Sequence, residues 1–128
     1  MGDTEMRALA KRFFDFIESG DVDGLVACYA PTARIWHNTD GVEQGPEDNR
    51  QTLEGLVRAF SDRRYEARRL AVFAGGFVQQ HVLRATRNRD AAKVELAACL
   101  VCQVADGAIT RLDEYFDSAQ VARFTGAG

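Results

Sequence analysis

The sequence predicts an α+β fold with helices in the first half of the chain and a curved antiparallel sheet in the second half. Up to about residue 60, apolar residues recur at the helical period. From Arg64 onward, apolar and polar residues alternate as they do in strands. Asp106 and Gly107 separate two such runs, and tight hairpin turns favour these residues because they tolerate positive φ. We therefore expect one domain, residues 1–128, with the sheet packed on three N-terminal helices.

The first two helices are predicted from their caps and their stop signals. Asp3 or Thr4 can cap the first helix, and Gly20 ends it because glycine accepts the left-handed conformation that follows a helix. The second, shorter helix buries apolar side chains as far as Tyr29 and stops at Pro31.

A short strand and a third helix follow. The strand covers residues 33–38 and contains the only Trp of the chain, Trp36. Residues 39–45 form a polar loop. Pro46 then begins the third helix, because proline is favoured at the first helical position.

The second half predicts four antiparallel strands connected in order, and then a last short helix near Asp117. The strands are residues 65–73, 77–87, 93–104 and 108–117. The third of them is apolar on both faces, so it should lie inside the sheet. One of its faces can cover the helices, but the other would be exposed in a monomer. We therefore expect a homodimer formed through the outer face of the sheet.

Composition restricts the possible partners and the location of the protein. A formal net charge of −3 argues against nucleic acid as the main partner. No apolar run approaches the roughly 20 residues that span a bilayer, and the N-terminus lacks a signal-peptide pattern. Cys28, Cys99 and Cys102 are best explained as buried thiols in a reducing compartment. We expect a cytoplasmic protein that contacts neither membrane nor nucleic acid.

Two titratable residues on apolar strand faces are the candidates for chemistry. Glu114 shares its face with two apolar side chains, and His81 shares its face with Phe77 and Leu83. We expect both to face one cavity, where a histidine of near-neutral pKa, or a carboxyl group whose pKa is raised by burial, could transfer a proton. A His81–Glu114 pair that only stabilises the sheet is the alternative, and the sequence leaves both open.

The wall of this cavity is expected to contain residues from several elements. Trp36 and Asn38 share one strand face, so if they point inward, His37 points outward. Asn38 would offer a ligand both a donor and an acceptor. The expected substrate-contacting residues are Tyr29, Trp36, Asn38, Phe77 and Leu83.

Several motifs resemble the nuclear transport factor 2-like (NTF2-like) superfamily, and its SnoaL-like branch in particular. They are Trp36-His37-Asn38 before a Gly-containing loop, residues 77–83, and residues 106–110 (DGAIT) followed by 113–117 (DEYFD). The resemblance covers nearly the whole chain and implies a cone-shaped α+β fold. The branch includes polyketide cyclases, with ketosteroid isomerases and limonene epoxide hydrolases as relatives. Members of the superfamily commonly pair through the sheet.

The resemblance also implies roles for single residues. Asn38 matches the water-holding Asn of the epoxide hydrolases, and Glu114 matches their last-strand Asp. Trp36, His81 and Leu83 stand where those enzymes have Tyr, Arg and a second Asp. The cyclases are similar in having an acid/base group and a histidine in an apolar cavity, which His81 and Glu114 match.

Together these observations predict a small-molecule enzyme of isomerase or cyclase type. We expect it to bind a small apolar or polycyclic substrate and to transfer a proton, with His81 or Glu114 as acid or base. No metal or cofactor is expected, since the sequence has no Gly-rich phosphate loop, nucleophile elbow or zinc-ligand spacing. Two alternatives stay open: a non-catalytic ligand-binding or dimerisation module, and an epoxide-hydrolase-like enzyme with an altered site.

Overall fold

The computed structural model describes residues 1–126 and has the α+β architecture that the sequence predicts. In chain order its elements are α1 (Asp3–Ser19), α2 (Val22–Val26), β1 (Tyr29–His37), β2 (Glu43–Gln44), α3 (Pro46–Ala59), β3 (Phe60–Phe73), β4 (Gly76–Arg87), β5 (Ala92–Ala105), β6 (Ala108–Phe116) and α4 (Ser118–Thr125). The six strands form one sheet in the order β2-β1-β6-β5-β4-β3. The apolar strand β5 therefore lies inside the sheet, as expected.

The first strand differs most from the sequence-based expectation. β1 begins at Tyr29 rather than at residue 33, and α2 ends at Val26. The strand tolerates Pro31 because its register with β6 shifts between Tyr29 and Arg34, where the ladder is interrupted. β1 pairs in parallel with β6, and the two-residue β2 pairs antiparallel with β1. These two strands extend the predicted four-stranded meander to six strands.

Two bulges bend β3, which begins at Phe60 instead of residue 65. Its register with β4 shifts after Ser61 and again after Glu66. Asp62 and Ala67 lie in these interruptions and have positive φ angles of 52° and 54°. Extra residues in one strand bend it and increase its twist, so the bulges curve the sheet around the helices.

The β5–β6 hairpin has the turn that the sequence predicts. Asp106 and Gly107 both have positive φ, 52° and 77°. A tight turn with two positive φ angles matches the right-handed twist of the flanking strands. The turn pairs Ala105 with Ala108 and Val104 with Ile109, and the register then shifts between Val104 and Gln103, so this irregularity decides the face on which Glu114 lies.

The core lies between α1 and the inner face of the sheet. Leu9, Phe14 and Ile17 on α1 are buried, as are Leu100 and Leu112 on the sheet. A second buried cluster joins α4 to the far end of the sheet and consists of Phe60, Leu83, Ala85, Leu96 and Phe124. No helix within residues 1–126 has the length and apolar character needed to cross a membrane.

Candidate functional site

A cavity of about 320 Å³ lies between the helices and the inner face of the sheet. Its wall is mostly apolar, with side chains from all four helices and from β1, β3, β4, β5 and β6. Its titratable side chains are Tyr29, His37, Asp40, Tyr65, His81 and Glu114. A concave apolar wall with a few polar groups is the usual composition of small-molecule sites. No group of three or more His, Cys, Asp or Glu side chains in residues 1–126 is arranged to hold a metal ion.

Glu114 forms its ion pair with His37. The two residues are neighbours in the parallel β1–β6 ladder, and His37 Nε2 lies 3.1 Å from Glu114 Oε1. Burial alone would lower the pKa of His37. The hydrogen bond to Glu114, the charge of Glu114 and the charge of Asp40 outweigh burial and raise the pKa of His37 above its usual value. The pair can therefore hold a proton near neutral pH.

His81 lies apart from this pair and is only 4% exposed. Its Nδ1 is 2.9 Å from Gln79 Nε2, and within residues 1–126 its own Nε2 has no hydrogen-bond partner. The rings of Phe14 and Tyr65 pack edge-on against the imidazole. Burial, assisted by the charge of Arg68, lowers the pKa of His81 to about 4. The imidazole is therefore neutral at pH 7.

The His81–Glu114 pair, which the sequence left open as an alternative, is not formed. β5 lies between β4 and β6, so His81 is opposite Ala98 while Glu114 is opposite Leu100. Two strand spacings, roughly 10 Å, separate β4 from β6. Both side chains nevertheless line the same cavity.

The expected orientation of β1 is also wrong. Trp36 packs edge-on against Tyr115, with ring centroids 5.4 Å apart, and does not line the cavity. Asn38 bonds to the backbone of Phe116: its Nδ2 donates to the carbonyl oxygen at 3.0 Å, and its Oδ1 accepts from the amide at 2.8 Å. Strand alternation consequently turns His37 inward. The buried residues Ala33 and Ile35 alternate with the exposed Thr32 and Arg34, and His37 continues the buried face, a signal that the expectation did not use.

The remaining expected contact residues divide between the cavity and the core. Leu83 and Tyr29 line the cavity, whereas Phe77 is fully buried and lies outside its wall. The Tyr29 hydroxyl donates to Asn49 Oδ1 at 2.8 Å, and Asn49 Nδ2 donates to Gln44 Oε1 at 3.2 Å. Burial raises the pKa of Tyr29 well above its usual value, so this hydroxyl stays protonated.

The sequence reasoning did not assign several polar residues to the cavity wall, among them His37, Asn49 and Tyr65. A signal existed for Asn49, because it precedes Leu53 and Leu56 on the apolar stripe of α3 and is 3% exposed. Tyr65 alternates with polar neighbours on β3, which predicts a buried side chain but not a free hydroxyl. A signal also existed for His37, which continues the alternation of the buried residues Ala33 and Ile35.

The chain belongs to the family described as the SnoaL-like domain, whose model matches residues 10–112. No curated protein is significantly similar to it in sequence. Among solved structures, a candidate polyketide cyclase from Xanthomonas campestris pv. campestris is 14% identical, with a TM-score of 0.85 over 95% of this chain and 97% of that one. AclR, a candidate hydroxylase from Streptomyces galilaeus, is 15% identical, with a TM-score of 0.87 over 99% of both chains. A candidate isomerase from Bacillus subtilis is 11% identical, with a TM-score of 0.85 over 100% of this chain and 98% of that one.

These similarities confirm the NTF2-like, SnoaL-like fold expected from the sequence motifs. At such low identities the likeness concerns the fold alone. The three proteins carry names for three different activities, which agrees with the general rule that one scaffold hosts unrelated reactions. The reaction has to be argued from the side chains of the cavity.

Proposed function

We propose that this protein is an enzyme that transfers a proton within a compact, largely apolar carbonyl compound bound in the cavity, as isomerases and cyclases do. The observation that carries the proposal is the His37–Glu114 pair, at 3.1 Å, in the wall of an apolar cavity. A carboxylate beside an imidazole can take a proton from carbon and pass it on. The names of two structural neighbours, a candidate cyclase and a candidate isomerase, are consistent with this class of reaction.

Glu114 is the base in this proposal. It takes a proton from the carbon next to the substrate carbonyl, and the electron pair of the broken C–H bond forms the C=C bond of an enolate. In an isomerase the proton then returns to a different carbon. In an aldol-type cyclase the enolate carbon attacks a second carbonyl group, whose oxygen receives the proton. His37 orients the carboxylate through its hydrogen bond, and no step requires a cofactor.

A non-catalytic binding module on the same fold is the second candidate. Its support is that His37 and Glu114 are cross-strand neighbours, so their ion pair also joins β1 to β6. An epoxide-hydrolase-like reaction has less support. Trp36 and Asn38, which match the water-holding positions of those enzymes, face away from the cavity.

Hydrogen–deuterium exchange at carbon tests the proposal. The probe is 2-tetralone in heavy water, and the loss of the proton signal next to its carbonyl group is followed by NMR. The wild type should exchange this proton faster than buffer does. Glu114→Gln should lower the protein-dependent rate by on the order of 10²-fold or more, with little change in melting temperature. Asp113→Asn is the matched control, because Asp113 lies on the outer face and pairs with Arg111.

Other outcomes of the same experiment favour the other candidates. If the wild type binds 2-tetralone and other small ring ketones but exchanges none of them faster than buffer, the proton-transfer proposal is wrong and the binding module is supported. Hydrolysis of small epoxides that is lost in Glu114→Gln would support the epoxide-hydrolase-like candidate.

We further propose that the protein is a cytoplasmic homodimer that pairs through the outer face of its sheet. Val78, Val101, Asp113 and Trp36 form a row of cross-strand neighbours on this face, and the adjacent Tyr115 is 45% exposed. Contiguous exposed apolar surface often marks an interface. The cytoplasmic location is supported by the cysteines in the described part of the chain, which are all free, as is usual in a reducing compartment.

A further inference from the structure

The cavity has a mouth at which a carboxylate lies. Most of its lining residues are buried or half-buried, but four of them are exposed: Thr39, Asp40, Thr52 and Thr125. They come from the loop after β1, from α3 and from α4. A residue that lines the cavity and is also exposed lies where the cavity meets water, so these four residues form the mouth. Asp40 is the ionisable one among them.

Asp40 is held by its loop, but the fold does not neutralise its charge. Asp40 Oδ1 accepts a hydrogen bond from the Val42 amide at 2.9 Å, and the Gly41 amide donates to the carbonyl oxygen of His37 at 2.9 Å. These two bonds form a tight turn that fixes the carboxylate. None of the salt bridges in the described part of the chain involves Asp40. Its charge is therefore available to a ligand.

The cavity lining as a whole has an excess of negative charge. Its carboxylates are Glu114 and Asp40, and His37, which pairs with Glu114, can balance only one of them. Within residues 1–126 the lining includes neither lysine nor arginine. Arg68, whose guanidinium carbon lies 5.9 Å from the ring of Tyr65 in the wall, already pairs with two carboxylates of α1 at 3.0 Å and 3.1 Å. Apolar walls screen charge weakly, so the cavity attracts cations and repels anions.

The aromatic part of the wall also favours an organic cation. Seven of the lining residues are Phe or Tyr. One of them, Phe116, stacks on the ring of His37 with ring centroids 6.0 Å apart, and another, Phe124, directly precedes Thr125 of the mouth. The faces of aromatic rings attract ammonium groups, and their apolar surface binds a hydrocarbon skeleton. Aromatic rings and an unpaired carboxylate therefore favour the same kind of ligand.

We propose that the substrate carries a protonated amino group at the end that faces the mouth, and that the Asp40 carboxylate binds this group while the apolar skeleton fills the cavity. This inference rests on the proposed function and narrows its substrate class from compact ring ketones to amino ketones. The carbonyl end then lies beside Glu114 and the ammonium end beside Asp40. Asp40 determines which substrate binds and takes no part in the proton transfer. Acidic compounds of the same shape are rejected.

Three ligands with one two-ring skeleton separate charge from shape. At pH 7, 2-aminotetralin is a cation, 2-tetralol is neutral and tetralin-2-carboxylate is an anion. Their dissociation constants are measured by calorimetry at low ionic strength. The wild type should bind the amine more tightly than the alcohol by roughly three- to tenfold, and the acid more weakly than the alcohol. Sodium chloride at about 1 M should reduce both differences, because salt screens exposed charges.

Two variants locate the charge that makes the difference. Asp40→Asn removes the charge but keeps an oxygen that can accept from the Val42 amide, so the loop should be retained. It should lose most of the preference for the amine over the alcohol and should bind the acid more tightly than the wild type does. Asp106→Asn is the matched control, because it removes the same charge from the exposed β5–β6 turn, outside the cavity wall. It should keep the wild-type preferences.

The outcomes distinguish failure of this inference from failure of the proposed function. Binding of none of the three ligands, no preference for the amine in the wild type, or an unchanged preference in Asp40→Asn would overturn the inference. An equal loss in Asp40→Asn and Asp106→Asn would also overturn it, because the effect would then belong to net charge. If the amine preference depends on Asp40 but 2-tetralone does not exchange, the ammonium site stands and the proton-transfer proposal fails. If 2-tetralone exchanges and the amine preference is absent, the reverse holds.

Discussion

The two histidines of the chain have opposite electrostatic environments. Both are at least partly buried, and burial by itself lowers the pKa of an imidazole. His37 gains the hydrogen bond and charge of Glu114, which together with Asp40 raise its pKa. His81 has an amide, two aromatic rings and the charge of Arg68 around it, and its pKa falls to about 4. His37 is therefore the histidine suited to proton transfer near neutral pH.

The low pKa of His81 predicts a specific loss of stability in acid. The unfolded chain takes up a proton at this residue near pH 6.5, whereas the folded chain does so only near pH 4. Unfolding is therefore favoured as the pH falls between these values, by a total of about 3 kcal/mol. In His81→Phe this contribution is removed. Between pH 7 and pH 4 the unfolding free energy of the wild type should therefore fall by about 3 kcal/mol more than that of His81→Phe.

Urea unfolding of both proteins at a series of pH values measures this difference. A variant that is simply less stable by the same amount at every pH would show that His81 is not kept neutral by the fold. The comparison uses only the dependence on pH, so any packing cost of the phenyl ring cancels.

At the scale of the elements, the pairing of β1 with β6 brings the candidate site together. His37 and Glu114 lie opposite each other only because the first strand of the chain joins the last one in parallel. Asn38 continues this pairing beyond the end of β1, because its side chain takes the place of a strand backbone and satisfies both the amide and the carbonyl of Phe116. Asn38, which the sequence analysis assigned to substrate contact, instead forms hydrogen bonds with the backbone of Phe116.

Asn38→Ala should therefore lower stability. It removes two exposed hydrogen bonds, and we expect the free energy of unfolding to fall by about 1–2 kcal/mol. The measurement is urea unfolding, with an unchanged slope as the sign that the variant still unfolds in two states. Gln103→Ala, at an exposed position of β5, is the control and should change stability by less than about 0.5 kcal/mol. If Asn38→Ala is as stable as wild type but binds 2-tetralone more weakly, Asn38 contacts the ligand after all.

At the scale of the whole molecule, the outer face of the sheet is the face that the helices of residues 1–126 leave uncovered. The helices cover the inner face, and the outer row that contains Val101 is only partly buried. Trp36 and Tyr115 pack against each other beside it. A second copy of the chain would remove this apolar surface from water, which stabilises association by the hydrophobic effect.

Light scattering at micromolar concentration tests this arrangement. The wild type should have the mass of a dimer. Val101→Glu places a second carboxylate opposite Asp113 in the centre of the outer face and should give a monomer, because burying two like charges is costly. Gln51→Glu adds the same charge to an exposed position of α3 and should remain a dimer. A monomeric wild type would refute the interface.

A structural feature could be predicted from the sequence when the residues that determine it lie within one short segment. The Asp106-Gly107 turn was predictable because turn chemistry acts within a few residues, and alternation with Leu112 and Phe116 placed Glu114 on the inner face. The position of His81 on an inward face followed from alternation in the same way. The inward face of β1 was available in the same way, from buried Ala33 and Ile35 between exposed Thr32 and Arg34, but the strand with which β1 pairs was not. Its partner lies more than seventy positions later in the chain.

The sequence by itself determined the fold class, the hairpin, the interior position of β5 and the inward faces of β4 and β6, because hydrophobic period and turn preference are properties of short segments. Only the tertiary structure decided which groups meet. It paired Glu114 with His37 and separated Glu114 from His81 by a strand. Hydrogen bonds, ion pairs and pKa shifts depend on contacts between residues far apart in the chain, and a sheet that joins its first and last long strands creates those contacts only when it closes.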